Sequence, residues 1–431
     1  MKRSSKKDDD FMEKENRNRK KKLILATIQG ADRPGVTASL MQILAERDAF
    51  ILDIGQSDIH SNLNLGILFE TTEEASGPIL KDLLFRSYEL NVSVRFTPIT
   101  AEDYTDWVNA QGKNRYIITV VARKITAAML AALTDKTAIQ GLNIDNIRRL
   151  TGRIPLDKEE RIPMASIEFS MRGTPKDLDQ LKADMMAVSS ELGFDISIQR
   201  ESMFRRMRRV ICFDMDSTLI QTEVIDELAV RAGVGDKVKE ITERAMRGEI
   251  DFHESFIERV ALLKGLDVSV MEEIAESLPM TEGIERLMRA LKFMGYKIAI
   301  LSGGFMYFGN YLQKKFGVDY VYANQLEVGP DGKLTGKHIG EIVDGKRKAE
   351  LLKLIAQVEK VHLQQTVAVG DGANDLLMLR EAGLGIAFHA KPKVKADARQ
   401  SISYVGLDGI LYFLGYKDSI FDDGLMETQI V

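Results

Sequence analysis

The chain has 431 residues, is 45% hydrophobic, and carries a formal net charge of -5 with one cysteine, Cys212. That size predicts about two to four domains with ordinary cores, and the acidic balance excludes a surface that coats nucleic acid generally. A lone cysteine excludes an intrachain disulfide framework and no apolar run is long enough to span a bilayer, so a cytoplasmic protein without nucleic-acid or membrane partners is expected.

Residues 1–22 read as a charged, disordered tail that lacks the apolar centre of a signal peptide. The apolar run 23–28 predicts a strand. The turn Gly-Ala-Asp-Arg-Pro-Gly-Val at 30–36 follows. Pro34 suits the first turn of the next helix, where its missing N–H is not needed. Val36, Leu40, Ile43 and Leu44 then repeat at helical spacing. Strands are expected at 50–54, 65–69 and 92–96, with a helix at 79–90. The order βαββαβ over 23–97 is the ferredoxin-like plan. A polar linker at 98–114 carries the only tryptophan, Trp107. The pattern repeats over 115–200, with strands at 116–121, 142–147, 165–169 and 195–198 and helices at 126–139 and 175–192.

From 208 to 415 the pattern becomes α/β. Apolar runs at 210–213, 297–301, 366–369 and 384–388 have the character of buried parallel strands. In such sheets ligands bind beyond the strands' carboxyl ends. Asp214-Met-Asp-Ser-Thr follows the first run, Ser302-Gly-Gly the second, and Gly370-Asp-Gly-Ala-Asn-Asp the third. Lys348 opens a helix at 348–356. Each motif alone reads equally well as a turn, a cap or a solvated residue. Together they assemble the parts of phosphoryl chemistry on Mg²⁺. Asp214 is the candidate nucleophile and Asp216 the general acid and base. Ser302, Gly303 and Gly304 would hold phosphate oxygens, since bare backbone permits close approach. Lys348 would neutralise the developing charge. Mg²⁺ needs few protein ligands, for which Asp214 and Asp371 are the candidates, with Asp375 holding metal-bound water from behind. Residues 221–280 lie between two core strands and carry helical periodicity at Ile225, Leu228 and Ala229. They read as a helical lid. Asp331-Gly332 marks a hairpin turn between strands at 325–328 and 333–336. The lysines at 391–395 are expected to face solvent, and 416–431 reads as a C-terminal tail.

The 30–36 turn and Asp53 at the end of the next strand make the first module resemble an ACT domain, the amino-acid-sensing module of biosynthetic enzymes. The second module resembles it in element order, with Ala122-Arg-Lys-Ile-Thr in place of the Pro-Gly turn. That resemblance implies a free amino-acid effector held near Asp32, Gly35 and Asp53, and a homodimer. The Asp214, Ser302, Lys348 and Asp371 motifs resemble the haloacid dehalogenase superfamily with its Rossmann-like core. With the run on to His389-Ala-Lys-Pro392, they resemble the phosphoserine phosphatase family within it. This resemblance implies a small helical cap in which Glu223 takes the substrate ammonium and Arg259 its carboxylate, with Met246 and Phe252 lining the pocket. It further implies that Asn374 contacts phosphate and that the backbone carbonyl of Asp216 completes the metal shell. The implied reaction is hydrolysis of O-phospho-L-serine through an aspartyl phosphate, the last step of serine biosynthesis, with amino-acid feedback. Two alternatives stand beside it. One is a phosphatase or phosphotransferase for another small phosphorylated amino alcohol. The other is an amino-acid sensor with a decayed catalytic domain, which the filled catalytic positions oppose.

Overall fold

Apolar alternation builds the first module. In the computed structural model, which describes residues 21–110, 114–153, 164–398 and 400–420, β1 (Lys21–Ala31) turns Ile24, Ala26 and Ile28 into one core. Lys21 and Lys22 thus belong to a strand, and the tail expected at 1–22 otherwise lies outside the described residues, as does 421–431. β2 (Phe50–Ile59), β3 (Asn62–Thr72) and β4 (Val92–Ile99) complete a four-stranded antiparallel sheet, order β2-β3-β1-β4. The helices Val36–Ala45 and Glu73–Glu89 cover one face through Val36, Leu40, Leu44, Ile79 and Leu83. The expected linker contains a helix, Ala101–Ala110. Thr100 accepts the Asp103 N–H there, and Glu102 and Asp103 favour the helix N-terminus.

The second module forms β5 (Arg115–Ala122), β6 (Asn143–Arg149), β7 (Ala165–Arg172) and β8 (Asp195–Arg200), with helices Ala127–Ile139 and Leu178–Leu192. The third domain contributes β9 (Val210–Phe213), β10 (Lys297–Phe305), β11 (Tyr320–Val328), β12 (Leu334–Ile339), β13 (Thr366–Gly370), β14 (Leu384–Phe388) and β15 (Gln400–Ile402). The sequence leads one to expect two separate sheets here. The structure has one eleven-stranded sheet, order β12-β11-β10-β9-β13-β14-β15-β8-β5-β7-β6.

The join is made partly by side chains. β15 meets β8 antiparallel at Ser401 and Ile196. The Gln400 amide then extends the ladder, accepting from Ile198 N–H at 2.9 Å and donating to Ile198 C=O at 2.8 Å. β5 is buried on both faces. Ile118 and Val120 pack under its own helices, while Val121, with Leu150 and Met164, enters the core of the third domain.

β9, β10, β13 and β14 run parallel, β9 between β10 and β13. The cap is four helices, Val224–Arg231, Gly235–Met246, Phe252–Leu262 and Ser269–Ser277. Its two ends cross at a short stem where Ile220 pairs with Met280. The expected 325–328 strand is the end of β11, which begins at Tyr320 as a parallel partner of β10 before turning back into β12.

Gly283, just past the stem, has φ +80, and a Cβ there would overlap the Asp408 carboxylate. Gly283→Ala should lower the stability of this unit by about 1–3 kcal/mol, read as a lower urea midpoint.

Candidate active site

The site begins where β9 ends. Asp214 N–H donates to Val369 O on β13 at 2.9 Å, which fixes the backbone at the sheet edge. Its Oδ1 accepts from Met215 N–H at 2.7 Å, and its Oδ2 lies 2.8 Å from Lys348 Nζ. The same ammonium donates to Asp375 Oδ1 at 2.8 Å and is fully buried. The helix carrying Lys348 starts at Gly345, three residues before the expected position, because Asp344 caps it through Arg347 N–H. Lys348 therefore sits in the first helical turn. Burial works against its charge, and Asp214 and Asp375 overcome that cost, so the amine is held above its ordinary range.

Asp214, Asp371 and Asp375 bring carboxylate oxygens within 4.8 Å of one another. Burial, then repulsion from Asp214, pushes Asp371 and Asp375 each up to about 7. Thr218 Oγ1 reaches Asp371 Oδ1 at 3.4 Å, and Gly372 N–H donates to Asp375 Oδ2 at 3.0 Å. An all-oxygen, over-negative cluster with one internal cation fits a hard divalent ion.

Asp216 is buried beside this cluster and accepts from Val224 N–H at 3.3 Å. Burial, then Glu223 and Asp214, holds its carboxyl well above the usual carboxylate range. β10 carries Ser302, Gly303 and Gly304 along the opposite wall. Ser302 Oγ accepts from Gly304 N–H at 2.9 Å. Gly304 is dictated by space: a Cβ would crowd Asp216 Oδ2 and stand 3.1 Å from Ser302 Oγ. Asn324, on β11, shapes this wall, donating to Gly303 O at 2.8 Å and accepting from Val343 N–H at 2.8 Å. Nothing in its local sequence marks that role, because both partners are distant along the chain.

The cap closes a cavity of about 500 Å³ over Asp214, Asp216, Asp371 and Asn374. Glu223, Phe252 and Arg259 line it from the cap side. Ser217, itself at φ 54, donates to Glu223 Oε1 at 2.8 Å. Withdrawal from bulk water raises the Glu223 carboxyl. Arg259 Nε donates to Ser255 O at 3.2 Å. Among the described residues no carboxylate lies within ion-pairing distance of its guanidinium, and burial lowers its pKa. Met246 ends its helix, and its side chain lies outside the described residues.

Two charged lining residues escaped sequence reasoning. Asp226 sits three positions after Glu223, a spacing that could have flagged it. Lys391 is exposed, as expected of that lysine run, yet it also lines the cavity, because β14 ends at the sheet edge and the chain turns at His389 (φ 46). In the first module Asp32, Gly35 and Asp53 are exposed. Gly35, at φ 93, precedes the helix Val36–Ala45, and Asp32 N–H donates to Ser61 O at 2.9 Å. None of the three lines the cavity of about 420 Å³ that runs along β1 and β4 past Gln29 and Arg95.

Residues 22–97 and 115–199 each match an ACT domain family, and residues 208–383 match the haloacid dehalogenase-like hydrolase family. The chain is 39% identical to a phosphoserine phosphatase of Streptomyces coelicolor, over 91% of this chain and 92% of that one. It is 37% identical to a phosphoserine phosphatase of Mycobacterium tuberculosis, over 91% of this chain and 93% of that one. A crystal structure of a probable phosphoserine phosphatase from Vibrio cholerae superposes with a TM-score of 0.55 at 33% identity, covering 73% of this chain and 89% of that one. Among the described residues no helix is long and apolar enough to cross a membrane.

Asp371 and Asp375 take up protons as the pH falls through about 7, and a cation must displace them. Divalent-cation affinity should therefore weaken by about tenfold per pH unit for each proton displaced as pH drops below 7. Calorimetric titration with Mg²⁺ or Mn²⁺ at several pH values measures this. The sign for stability is opposite. The folded pKa values lie above the unfolded ones, so the cation-free protein loses stability as pH rises toward 7.

Proposed function

The chain belongs to the phosphoserine phosphatase family of haloacid dehalogenase-like hydrolases, and we propose that it hydrolyses O-phospho-L-serine to L-serine and phosphate through an aspartyl phosphate on Asp214, with Mg²⁺ as its cation. One observation carries the choice of substrate. A cap guanidinium without an ion-pair partner among the described residues, Arg259, and a cap carboxylate, Glu223, share one cavity with the Lys348-held Asp214. That is a site for a zwitterion bearing a phosphate.

In this reading Lys348 and Met215 N–H hold Asp214 in place and aimed. An Asp214 oxygen attacks phosphorus, the bond from phosphorus to the seryl oxygen breaks, and Asp216 gives that oxygen its proton. Asp216 then takes a proton from the water that attacks the aspartyl phosphate, which frees Asp214 and phosphate. Ser302, Gly303, Gly304 and Asn374 hold the phosphate oxygens. Asp214, Asp371 and the Asp216 carbonyl would hold Mg²⁺, with Asp375 behind, and the ion supplies charge that lets a phosphate dianion approach carboxylates. Glu223 takes the substrate ammonium, and Arg259 pairs its carboxylate with a bidentate fork. Phe252 walls the pocket and excludes water.

The domain division we propose is 23–97, 115–200 and 208–415, with the cap at 221–280. A free amino acid, serine by this reading, acts on the first module near Asp32, Gly35 and Asp53. Exposed Phe50, Ile54 and Ile59 on β2 support pairing of two copies. A cytoplasmic location fits the single, buried cysteine.

Phosphate release should be measured on phosphoserine, phosphothreonine and glycerol phosphate with Mg²⁺. Phosphoserine should lead. Asp214→Asn should lower kcat by about 10³-fold or more, and retention of full phosphate release would remove Asp214 as nucleophile. Arg259→Lys should raise KM for phosphoserine by about tenfold, since an ammonium cannot reproduce the fork.

A further inference from the structure

We propose that the second ACT module is a working part of the substrate site, and that Arg123 is a positioning residue that holds the stem of the cap through Glu282. The inference rests on the reading of Glu223 and Arg259 as substrate-binding groups.

Both chain connections between the cap and the core pass through the stem, while the cap also bonds β12, where Gly265 N–H donates to Leu334 O at 2.8 Å and Leu334 N–H donates to Leu266 O at 2.8 Å. In the stem Gln221 N–H donates to Pro279 O at 2.8 Å and Thr281 N–H donates to Leu219 O at 3.1 Å. On its inner side the stem leans on the catalytic loop: Leu219 N–H and Ile220 N–H both donate to Met215 O, at 2.8 and 3.1 Å. Met215 is the neighbour of Asp214. On its outer side the stem runs into Glu282. The backbone of Glu282 accepts from Leu407 N–H at 2.8 Å. Its side chain is gripped by Arg123, with Nη1 to Oε1 at 2.7 Å and Nη2 to Oε2 at 2.5 Å. A two-pronged pair of this kind fixes orientation as well as distance.

Arg123 stands in the turn that follows β5, the place where the first module has its Pro-Gly turn. The second module uses that turn to grasp the cap stem. A second contact reaches the other side of the cavity. Asp195, buried at the start of β8, accepts from Ser403 N–H at 2.6 Å and Tyr404 N–H at 2.9 Å. His389 hangs on the same segment, its N–H donating to Ile402 O at 2.7 Å and its Nε2 to Val405 O at 3.0 Å. Two residues further on is Lys391, on the cavity wall. Arg123 thus braces the residue that follows the cap stem, and Asp195 braces the segment that holds the chain just before Lys391. A stem released from Arg123 lets the cap spend less time with Glu223 and Arg259 in register with Asp214. A substrate that depends on those two groups then binds to a smaller competent fraction.

The test compares full-length wild type with Arg123→Ala, Glu282→Gln and the charge-swapped double variant Arg123→Glu/Glu282→Arg. Phosphoserine and glycerol phosphate are the substrates, and thermal midpoints are recorded. Arg123→Ala and Glu282→Gln should raise KM for phosphoserine by about two- to five-fold, with kcat and the kinetics of glycerol phosphate unchanged. Glycerol phosphate has neither ammonium nor carboxylate for the cap to hold. The double variant should recover most of the loss. An unchanged KM for phosphoserine in both single variants, or an equal change for both substrates, overturns the inference. Wild-type preference for phosphoserine over glycerol phosphate tests the underlying substrate reading separately, so the two failures cannot be confused.

Discussion

A single ammonium group, Lys348 Nζ, lies fully buried between Asp214 and Asp375, and the architecture of the site depends on it. Burying an ion costs several kcal/mol even after relaxation, so the position is tolerable only with its partners in place. Those partners come from different elements. Asp214 ends β9, Asp375 closes the turn after β13, and Lys348 rides on the first turn of a helix. That helix is pressed onto the sheet by Leu351, Leu352 and Ile355, so the apolar core beneath holds the three charges in register.

Lys348 does not cancel the charge around it. Asp214, Asp216, Asp371 and Asp375 share the site, and the raised pKa values of three of them record the mutual repulsion and burial. Asp214, Asp371 and Asp375 would hold a divalent ion, whose charge would offset this repulsion beside a phosphate. The cap presents the complementary problem. Arg259 is half-buried without an ion-pair partner among the described residues, a cost that an anionic group in the cavity would offset. Floor and cap are both electrostatically unbalanced, and the phosphorylated zwitterion and cation proposed above would balance both.

The two ACT modules share an element order and differ in environment. In the first, β2 leaves Phe50, Ile54 and Ile59 exposed. In the second, β5 is buried on both faces and the sheet runs on into the catalytic domain. The Gln400 amide, the Asp195 carboxylate and the Arg123–Glu282 pair make that junction polar and directional.

The catalytic motifs were legible in the sequence because each is covalently joined to the end of an apolar strand. Val210–Phe213 and Thr366–Gly370 declare themselves as buried parallel strands, and Asp214 and Asp371 must follow them to the same edge. The cap and both βαββαβ orders were legible for a similar local reason, the spacing of apolar residues. The helix Ala101–Ala110 was not, since its stability comes from a threonine cap and acidic first turn within a stretch that reads as polar linker. Asn324, Lys391 and Arg123 were invisible because their importance lies in partners from other segments; Arg123 meets Glu282 across 159 positions. Periodicity and adjacency, which belong to the chain itself, determined the elements and the catalytic inventory. Only the tertiary structure decided which strands share a sheet, which charges line the cavity and what pairs with Glu282 beside the stem. Those outcomes depend on hydrogen-bonding groups and charges meeting across long sequence separations, and no local pattern encodes such meetings.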